Sequence, residues 1–403
     1  MSILRGKKVL LGVSAGIAAY KTAHLVREFI KAGANVKVVM TPASKDFVTP
    51  LTLATLSKNP VLSSFTEDDG DEAVWNNHVE LGLWADLFVI APATANTLSK
   101  MANGICDNLL MATYLSAKCP VYFAPAMDLD MYKHPSTKQS FEKLQSYGAI
   151  MIPAESGELA SGLSGEGRMA EPENIRQFIE QHILNQLPLQ GKKVLITAGP
   201  TYEAIDPVRF IGNHSSGKMG YQLAEAAAGL GAQVVLISGP SAERILNETI
   251  KLVKVVSAEE MYVAAHKEFD SSDIAILAAA VADYRPKNIA DQKIKKAEAT
   301  LHIELEKTKD ILASLGEKKE HQVLVGFALE TENELENAKS KLERKNLDVI
   351  VLNSLNDKGA GFGGSTNKVT FITDSGELIN HELKSKSEVA SDLMQLLITK
   401  LNA

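Results

Sequence analysis

The chain opens with a short apolar run, Val9-Leu10-Leu11, that ends in the turn Gly12-Val13-Ser14-Ala15-Gly16. An amphipathic stretch follows, with Leu25, Val26, Phe29 and Ile30 on one face. Continuous apolar runs suit strands buried on both sides of a parallel sheet, and the later spacing is helical. The same succession then returns. Gly6-Lys7-Lys8-Val9-Leu10-Leu11 reappears as Gly191-Lys192-Lys193-Val194-Leu195-Ile196, and Gly33-Ala34-Asn35-Val36 as Gly231-Ala232-Gln233-Val234. Asp86-Leu87-Phe88-Val89-Ile90 is matched by Asp273-Ile274-Ala275-Ile276-Leu277. Helices between such strands make βαβ units, so the pattern predicts an α/β chain of two Rossmann-like domains, each with a doubly wound sheet. The domains are expected over 1–180 and 191–403, with 181–190 as linker, because Pro188 stands just before the second copy's first strand. A solenoid would repeat at a much shorter period.

Composition narrows the function classes. A chain of 403 residues with 45% hydrophobic and 23% charged residues has material for two cores. Lys plus Arg number 42 against 49 Asp plus Glu, a net charge of -7, which gives no footprint for nucleic acid. Against that balance Lys293-Ile294-Lys295-Lys296 stands out as a local basic cluster suited to one phosphorylated ligand. The two cysteines, Cys106 and Cys119, cannot make a disulfide framework, so a reducing cytoplasm is expected. The longest apolar run, Ile274 to Ala282, is far short of the roughly 20 residues of a membrane span. Arg5, Lys7 and Lys8 before Val9 to Ala19 mimic a signal peptide, but the stretch passes unbroken into the amphipathic face and reads as strand, turn and helix.

In a doubly wound sheet ligands sit beyond the carboxyl ends of the strands. In the first half Gly12-x-Ser14-x-Gly16 fits a nucleophile elbow, yet it ends the first strand, which a hydrolase elbow does not. The alternative is a loop whose small residues let backbone N–H groups reach an anion. Ala91-Pro92-Ala93-Thr94-Ala95-Asn96-Thr97 and Pro125-Ala126-Met127-Asp128-Leu129-Asp130-Met131 are further strand-end loops, and His78 stands shortly before the Asp86 strand, a lone histidine being more often structural than catalytic. With Gly104-x-x-Asp107-Asn108-Leu109, these motifs resemble the flavin-dependent phosphopantothenoylcysteine decarboxylases.

The resemblance implies a flavodoxin-like domain that binds FMN between subunits of a trimer, through Gly12, Ser14, Ile17, Thr41, Phe47, Thr94, Asn96 and Thr97. It makes His78 the base in oxidation of a cysteine thiol, followed by loss of CO2. It makes Gly157 to Met169 a substrate flap with Gly162, Gly165 and Arg168. Two positions depart from the family pattern. Asp128 stands where an asparagine usually holds the substrate carboxylate, and two ionised carboxylates there would repel unless one is protonated or bridged. Ser161 stands where a cysteine usually donates a proton; a thiol titrates near about 8.5, and a hydroxyl is a far weaker acid. The expectation is a working decarboxylase, with Asp128 protonated or Asp130 sharing its role. The rival is a flavin-binding regulatory domain without turnover.

In the second half, Asn213-His214-Ser215-Ser216-Gly217-Lys218-Met219-Gly220 lacks the glycine spacing of a P-loop but makes an anion cup before a helix. Asp283, in Ala280-Val281-Ala282-Asp283-Tyr284-Arg285-Pro286, is placed to meet a metal or nucleotide. Lys341 and Lys345 share one side of a predicted helix. With Thr197-Ala198-Gly199-Pro200-Thr201 and Val325-Gly326-Phe327-Ala328-x-Glu330-Thr331, this half resembles the phosphopantothenate–cysteine ligases. That resemblance implies CTP and Mg2+ across Leu277, Ala278, Ala279, Asp283, Lys293, Lys309, Asp310, Ile311, Leu312, Phe327, Lys341 and Lys345, with Asp283 toward the metal. A phosphate loop would use Gly199, Thr201, Ser215, Ser216 and Gly217. Asn213 would hold an acyl-cytidylate, and Lys293 would balance charge on the transferring phosphate.

The order of the halves resembles the bifunctional bacterial enzymes of coenzyme A synthesis, acting on 4'-phosphopantothenate, cysteine and CTP. It implies trimers through the first half and dimers through the second, combinable into a dodecamer. A dinucleotide-dependent oxidoreductase is the rival of another class. It is disfavoured because Gly12-x-Ser14-x-Gly16 misses the full fingerprint and no acidic ribose ligand lies near Met40 to Ser44.

Overall fold

A computed structural model of the chain describes residues 2–69, 72–295, 301–330, 332–354 and 364–402. It divides into two compact units, Met1–Leu184 and Asn185–Ala403. The segment 181–190 begins as the end of helix Pro172–Asn185 and closes with Leu189, fully buried in the second unit.

The first unit holds a parallel sheet of six strands in the order Val61–Leu62, Asn35–Met40, Lys8–Val13, Leu87–Ala93, Val121–Pro125, Ile150–Met151. Successive side chains of a strand face opposite layers. Val9, Leu11 and Val13 accordingly join Leu25, Phe29, Ile175 and Ile179 on one face, and Leu10 joins Leu98, Leu110 and Phe141 on the other. Each fully buried Leu or Phe of this kind contributes about 1.5–3 kcal/mol. The stretch that mimicked a signal peptide is thus the sheet's central strand and the turn beyond it.

The second unit has eight strands in the order Lys251–Lys254, Gln233–Ser238, Lys193–Ala198, Ile274–Leu277, Val323–Glu330, Val349–Ser354, Val369–Thr373, Leu378–Asn380. The last two are antiparallel additions to a parallel sheet. Val194 and Ile196 face helices Lys218–Gly229 and Lys386–Leu401, while Leu195 faces helices Ala258–Phe269 and Ile311–Lys318.

The sequence echo has a structural cause. In both units the first strand lies between the second and the third of the echoed strands, with Val9 beside Val36 and Leu87, and Val194 beside Val234 and Ile274. The aspartate before each third strand accepts a hydrogen bond from the second lysine's backbone N–H, Lys8 to Asp86 and Lys193 to Asp273, both at 2.8 Å. The motif Gly-Lys-Lys and its distant Asp are therefore two ends of one latch that satisfies a donor at the start of an interior strand.

Candidate active sites

A cavity of about 940 Å³ opens at the carboxyl ends of the first sheet. Of the residues expected to hold a flavin, Ile17, Thr41, Thr94, Asn96 and Thr97 line it. Ser14 lies one layer behind: it is fully buried, donates to the Pro92 carbonyl at 2.6 Å and accepts from the Thr94 N–H at 3.2 Å. It locks two loops together. Gly12 lies deeper still, where a Cβ would come within 2.6 Å of Leu110 Cδ1, so its role is packing. Phe47 is 43% exposed outside the cavity.

The lining suits a flat phosphorylated group. Ala15, Gly16, Ala18, Ala43 and Ala95 leave room for a ring, and Thr41 Oγ1 is buried with no partner. Thr94 begins helix Ala95–Asn103 without a side-chain cap, leaving first-turn N–H donors for an anion.

The hairpin Glu155–Glu158 and Ser164–Arg168 brings Ser161 and Arg168 to the same cavity as Asp128. Gly162, at φ +83°, turns the hairpin tip, and Gly165 lies where a Cβ would strike Leu129 at 2.6 Å; neither lines the cavity. Asp128 starts helix Leu129–Lys133, its Oδ1 accepting from the Leu129 N–H at 2.6 Å. At the root of the hairpin, Lys21, only 5% exposed, donates to the Met169 carbonyl at 3.0 Å and to Glu171 Oε1 at 2.8 Å. Arg168 donates to that same oxygen at 2.6 Å. Lys21, reinforced by Arg168, holds the Glu171 carboxyl below its ordinary 4.5. Sequence reasoning missed this triad, and also the Lys100–Asp107 pair at 2.5 Å in the cavity wall.

His78 does not line the cavity. Its ring lies edge-on to Phe65 and Trp75, at 6.3 and 6.4 Å, and its buried Nδ1 has no partner.

In the second unit a cavity of about 380 Å³ gathers Leu277, Ala279, Asp283, Lys309, Asp310, Ile311, Leu312, Phe327, Lys341 and Lys345. Thr197, from the Thr197–Thr201 motif, joins them, as do Lys307 and Thr308, which sequence reasoning missed. Asp310 caps helix Ile311–Lys318 by accepting from the Ala313 N–H at 3.0 Å and pairs with Lys345 at 2.7 Å. Lys341 donates to the Phe327 carbonyl at 3.0 Å, and burial, aided by Lys345, pushes its ammonium below the ordinary 10.5. Lys309 pairs with Glu259 at 2.6 Å and lies over the Tyr262 ring. Ala278 backs the wall through its N–H to the Thr197 carbonyl, at 3.2 Å.

The phosphate-loop residues form the adjoining turns. Buried Thr201 accepts from the Ala282 N–H at 3.0 Å, and Asn213 donates to the Val281 carbonyl at 2.9 Å. Ser215 and Ser216 accept from the Gly217 and Lys218 N–H groups, each at 3.3 Å. Gly199, at φ +75°, passes so close that a Cβ on Gly217 would lie 3.3 Å from its Cα. Lys293 is exposed and outside the cavity lining; Lys296 and Thr331 lie outside the described residues. No group of three potential metal ligands occurs among the described residues, and Asp283 is the expected metal residue in the cavity wall.

Residues 2–184 match the Flavoprotein family, and residues 189–401 match the family described as DNA/pantothenate metabolism flavoprotein C-terminal domain. The coenzyme A biosynthesis bifunctional protein CoaBC of Bacillus subtilis (strain 168) is 46% identical over 395 residues, covering 98% of this chain and 97% of that relative. The chain belongs to the CoaBC family. It is a bifunctional enzyme of coenzyme A biosynthesis, with a flavoprotein decarboxylase half and a ligase half. Another relative, a cysteine/cysteine sulfinic acid decarboxylase of an unknown prokaryotic organism, is 55% identical over 357 residues, covering 87% of this chain and 99% of its own. A crystal structure of a CoaBC C-terminal domain, 45% identical, covers 54% of this chain and 99% of its own length with a TM-score of 0.47. Among the described residues no helix is long and apolar enough to cross a membrane.

Proposed function

We propose that residues 191–403 join 4'-phosphopantothenate to cysteine at the expense of CTP, and that residues 1–180 convert the product to 4'-phosphopantetheine and CO2. The observation that carries the ligase reading is the cationic wall of Lys309, Lys341 and Lys345 around an apolar floor of Leu277, Ile311 and Phe327. Such a wall balances a triphosphate while the floor takes a flat base. Mg2+ arrives with the phosphates, so the single carboxylate of Asp283 suffices to steer it. The phosphopantothenate carboxylate attacks the α-phosphate, pyrophosphate leaves, and Asn213 holds the acyl-cytidylate. Lys293 offsets charge on the transferring phosphate. The amine of cysteine then displaces CMP and loses its proton.

In the first half, Ile17, Thr41, Thr94, Asn96 and Thr97 hold FMN, with Ser14 fixing their loops and Gly12 and Phe47 behind them. FMN held there would supply a two-electron acceptor for oxidation of the cysteine moiety and the matching donor after decarboxylation. Asp128 receives the substrate carboxylate, the two acids sharing one proton, with Asp130 beside it in the chain. Ser161 orients a water in place of a direct thiol donor, and Arg168, with Gly162 and Gly165 shaping the hairpin, closes over the substrate. His78 is outside its own chain's cavity lining and its buried Nδ1 has no partner, which supports a trimer in which it serves a neighbouring copy. Dimers through the ligase half, a dodecamer overall and a cytoplasmic setting complete the reading.

Purified, FMN-loaded protein given synthetic phosphopantothenoylcysteine tests the decarboxylase half. CO2 and phosphopantetheine are expected, with none from free cysteine or cysteine sulfinic acid. Flavin binding without CO2 from any of the three would refute it.

A further inference from the structure

Outside both cavities, His78 stands where a helix of the first unit meets a short ribbon. Asn77 caps helix His78–Trp84, its Oδ1 accepting from the Val79 and Glu80 N–H groups at 3.0 and 3.3 Å. The cap fixes the backbone of His78 as the helix's first residue. Just before it, strands Thr66–Asp69 and Glu72–Trp75 run antiparallel, with Thr66 paired to Trp75. The Asn76 N–H donates to the Phe65 carbonyl at 2.8 Å, and Asn76 Nδ2 donates to the Ser64 carbonyl at 2.9 Å. The base of the ribbon therefore sets Phe65 beside Trp75, their rings stacked at 5.6 Å with 16° between the planes. The imidazole of His78 stands at 89° to the Phe65 ring and at 75° to the Trp75 ring. Phe65 packs against the core, whereas Trp75 is 56% exposed.

A histidine base is commonly oriented by the hydrogen bond that its other ring nitrogen makes. Nδ1 of His78 makes none: it is buried and has no partner. The torsion that turns an imidazole is broad and roughly two-fold, so without that bond packing alone decides which nitrogen faces outward. Enclosure of Nδ1 leaves Nε2 as the nitrogen that can meet a reactant. We infer that Phe65 and Trp75 are positioning residues, a pair of stacked rings that hold the His78 imidazole so that Nε2 takes the proton of the substrate thiol. The S–H bond breaks with its electron pair left on sulfur, and an N–H bond forms at Nε2. This rests on the decarboxylase reading above.

Iodoacetate reads the orientation without any turnover, because each imidazole nitrogen gives its own carboxymethyl product. In the full FMN-loaded chain, the His78 peptide should carry the group at Nε2 alone. Trp75→Leu, made at an exposed position, should yield both products. With that variant, anaerobic bleaching of the flavin by phosphopantothenoylcysteine should slow about tenfold, a part of what a positioned base contributes. Its flavin content should be intact and its KM within about twofold of wild type. Trp75→Phe keeps a ring in place, so it should react at Nε2 alone and bleach within about threefold of the wild-type rate. If Trp75→Leu does not fold, Phe65→Leu should give the pattern expected of it. Reaction of wild type at Nδ1 or at neither nitrogen, or a Trp75→Leu chain with the wild-type rate, would overturn the inference. So would a raised KM with kcat unchanged. Wild-type flavin that the substrate does not bleach would overturn the decarboxylase reading and the proton transfer with it, while the alkylation pattern still judges the ring clamp.

Discussion

At the residue scale, chemistry depends on which groups stay unpaired. Thr41 Oγ1 is buried without a partner, whereas Ser14 beside it is saturated. Thr41→Val should therefore weaken FMN retention, read as flavin absorbance after dialysis, and retention equal to wild type would contradict the assignment. Ser161→Cys restores an acid of suitable strength, so decarboxylation should speed up several-fold at saturating substrate; an unchanged rate would remove position 161 from proton transfer. Glu268 shows a purely structural charge. Lys193 and Lys251 both donate to it at 2.8 Å and bring its pKa from the ordinary 4.5 to about 2. Its stabilising effect is complete above about pH 4.5 and is lost as pH falls toward 2. Glu268→Gln should lower the unfolding temperature at pH 7 and flatten the acid loss in that window. An acid profile parallel to wild type would count against the linkage. Most candidate residues were legible because motifs keep them close in sequence. Lys21 with Glu171 was not, since the two lie 150 positions apart.

At the element scale, the strands were readable because buried parallel strands are continuous apolar runs. The echo of Gly-Lys-Lys was visible, but not its meaning, since the Asp86 and Asp273 latches close only when the third strand pairs beside the first. The flap over Gly157 to Met169 was implied by the family resemblance, yet the anchorage of its hairpin is tertiary. The Met127 N–H donates to the Gly167 carbonyl at 3.0 Å, and Glu171 ties Arg168 to Lys21. Glu171→Gln removes the charge shared by those two cations, so KM for phosphopantothenoylcysteine should rise about three- to tenfold with flavin content intact. A fall in kcat with KM unchanged would show that the anchor serves something other than substrate capture.

At the scale of the whole molecule, two sheets of the same inner order carry two different cavities, one lined by small residues and one by lysines. The sheets follow from hydrophobic pattern; the cavities follow from what the strand-end loops carry. The family resemblance implies that His78 is a base, but not that it is absent from its own chain's cavity lining. Mixed assemblies should reveal this directly. His78→Asn and Asp128→Ala chains, each inactive as a decarboxylase alone, should regain part of the activity when dissociated and reassembled together. Silence in every mixture would confine the site to one chain. The central claim, consecutive reactions on one polypeptide, is tested most directly by supplying FMN-loaded protein with phosphopantothenate, cysteine, CTP and Mg2+ and following masses over time. Phosphopantothenoylcysteine should rise and then give way to 4'-phosphopantetheine, with one CMP and one CO2 for each product molecule. Phosphopantothenoylcysteine that accumulates without decay, or no CTP-dependent product at all, would contradict the account.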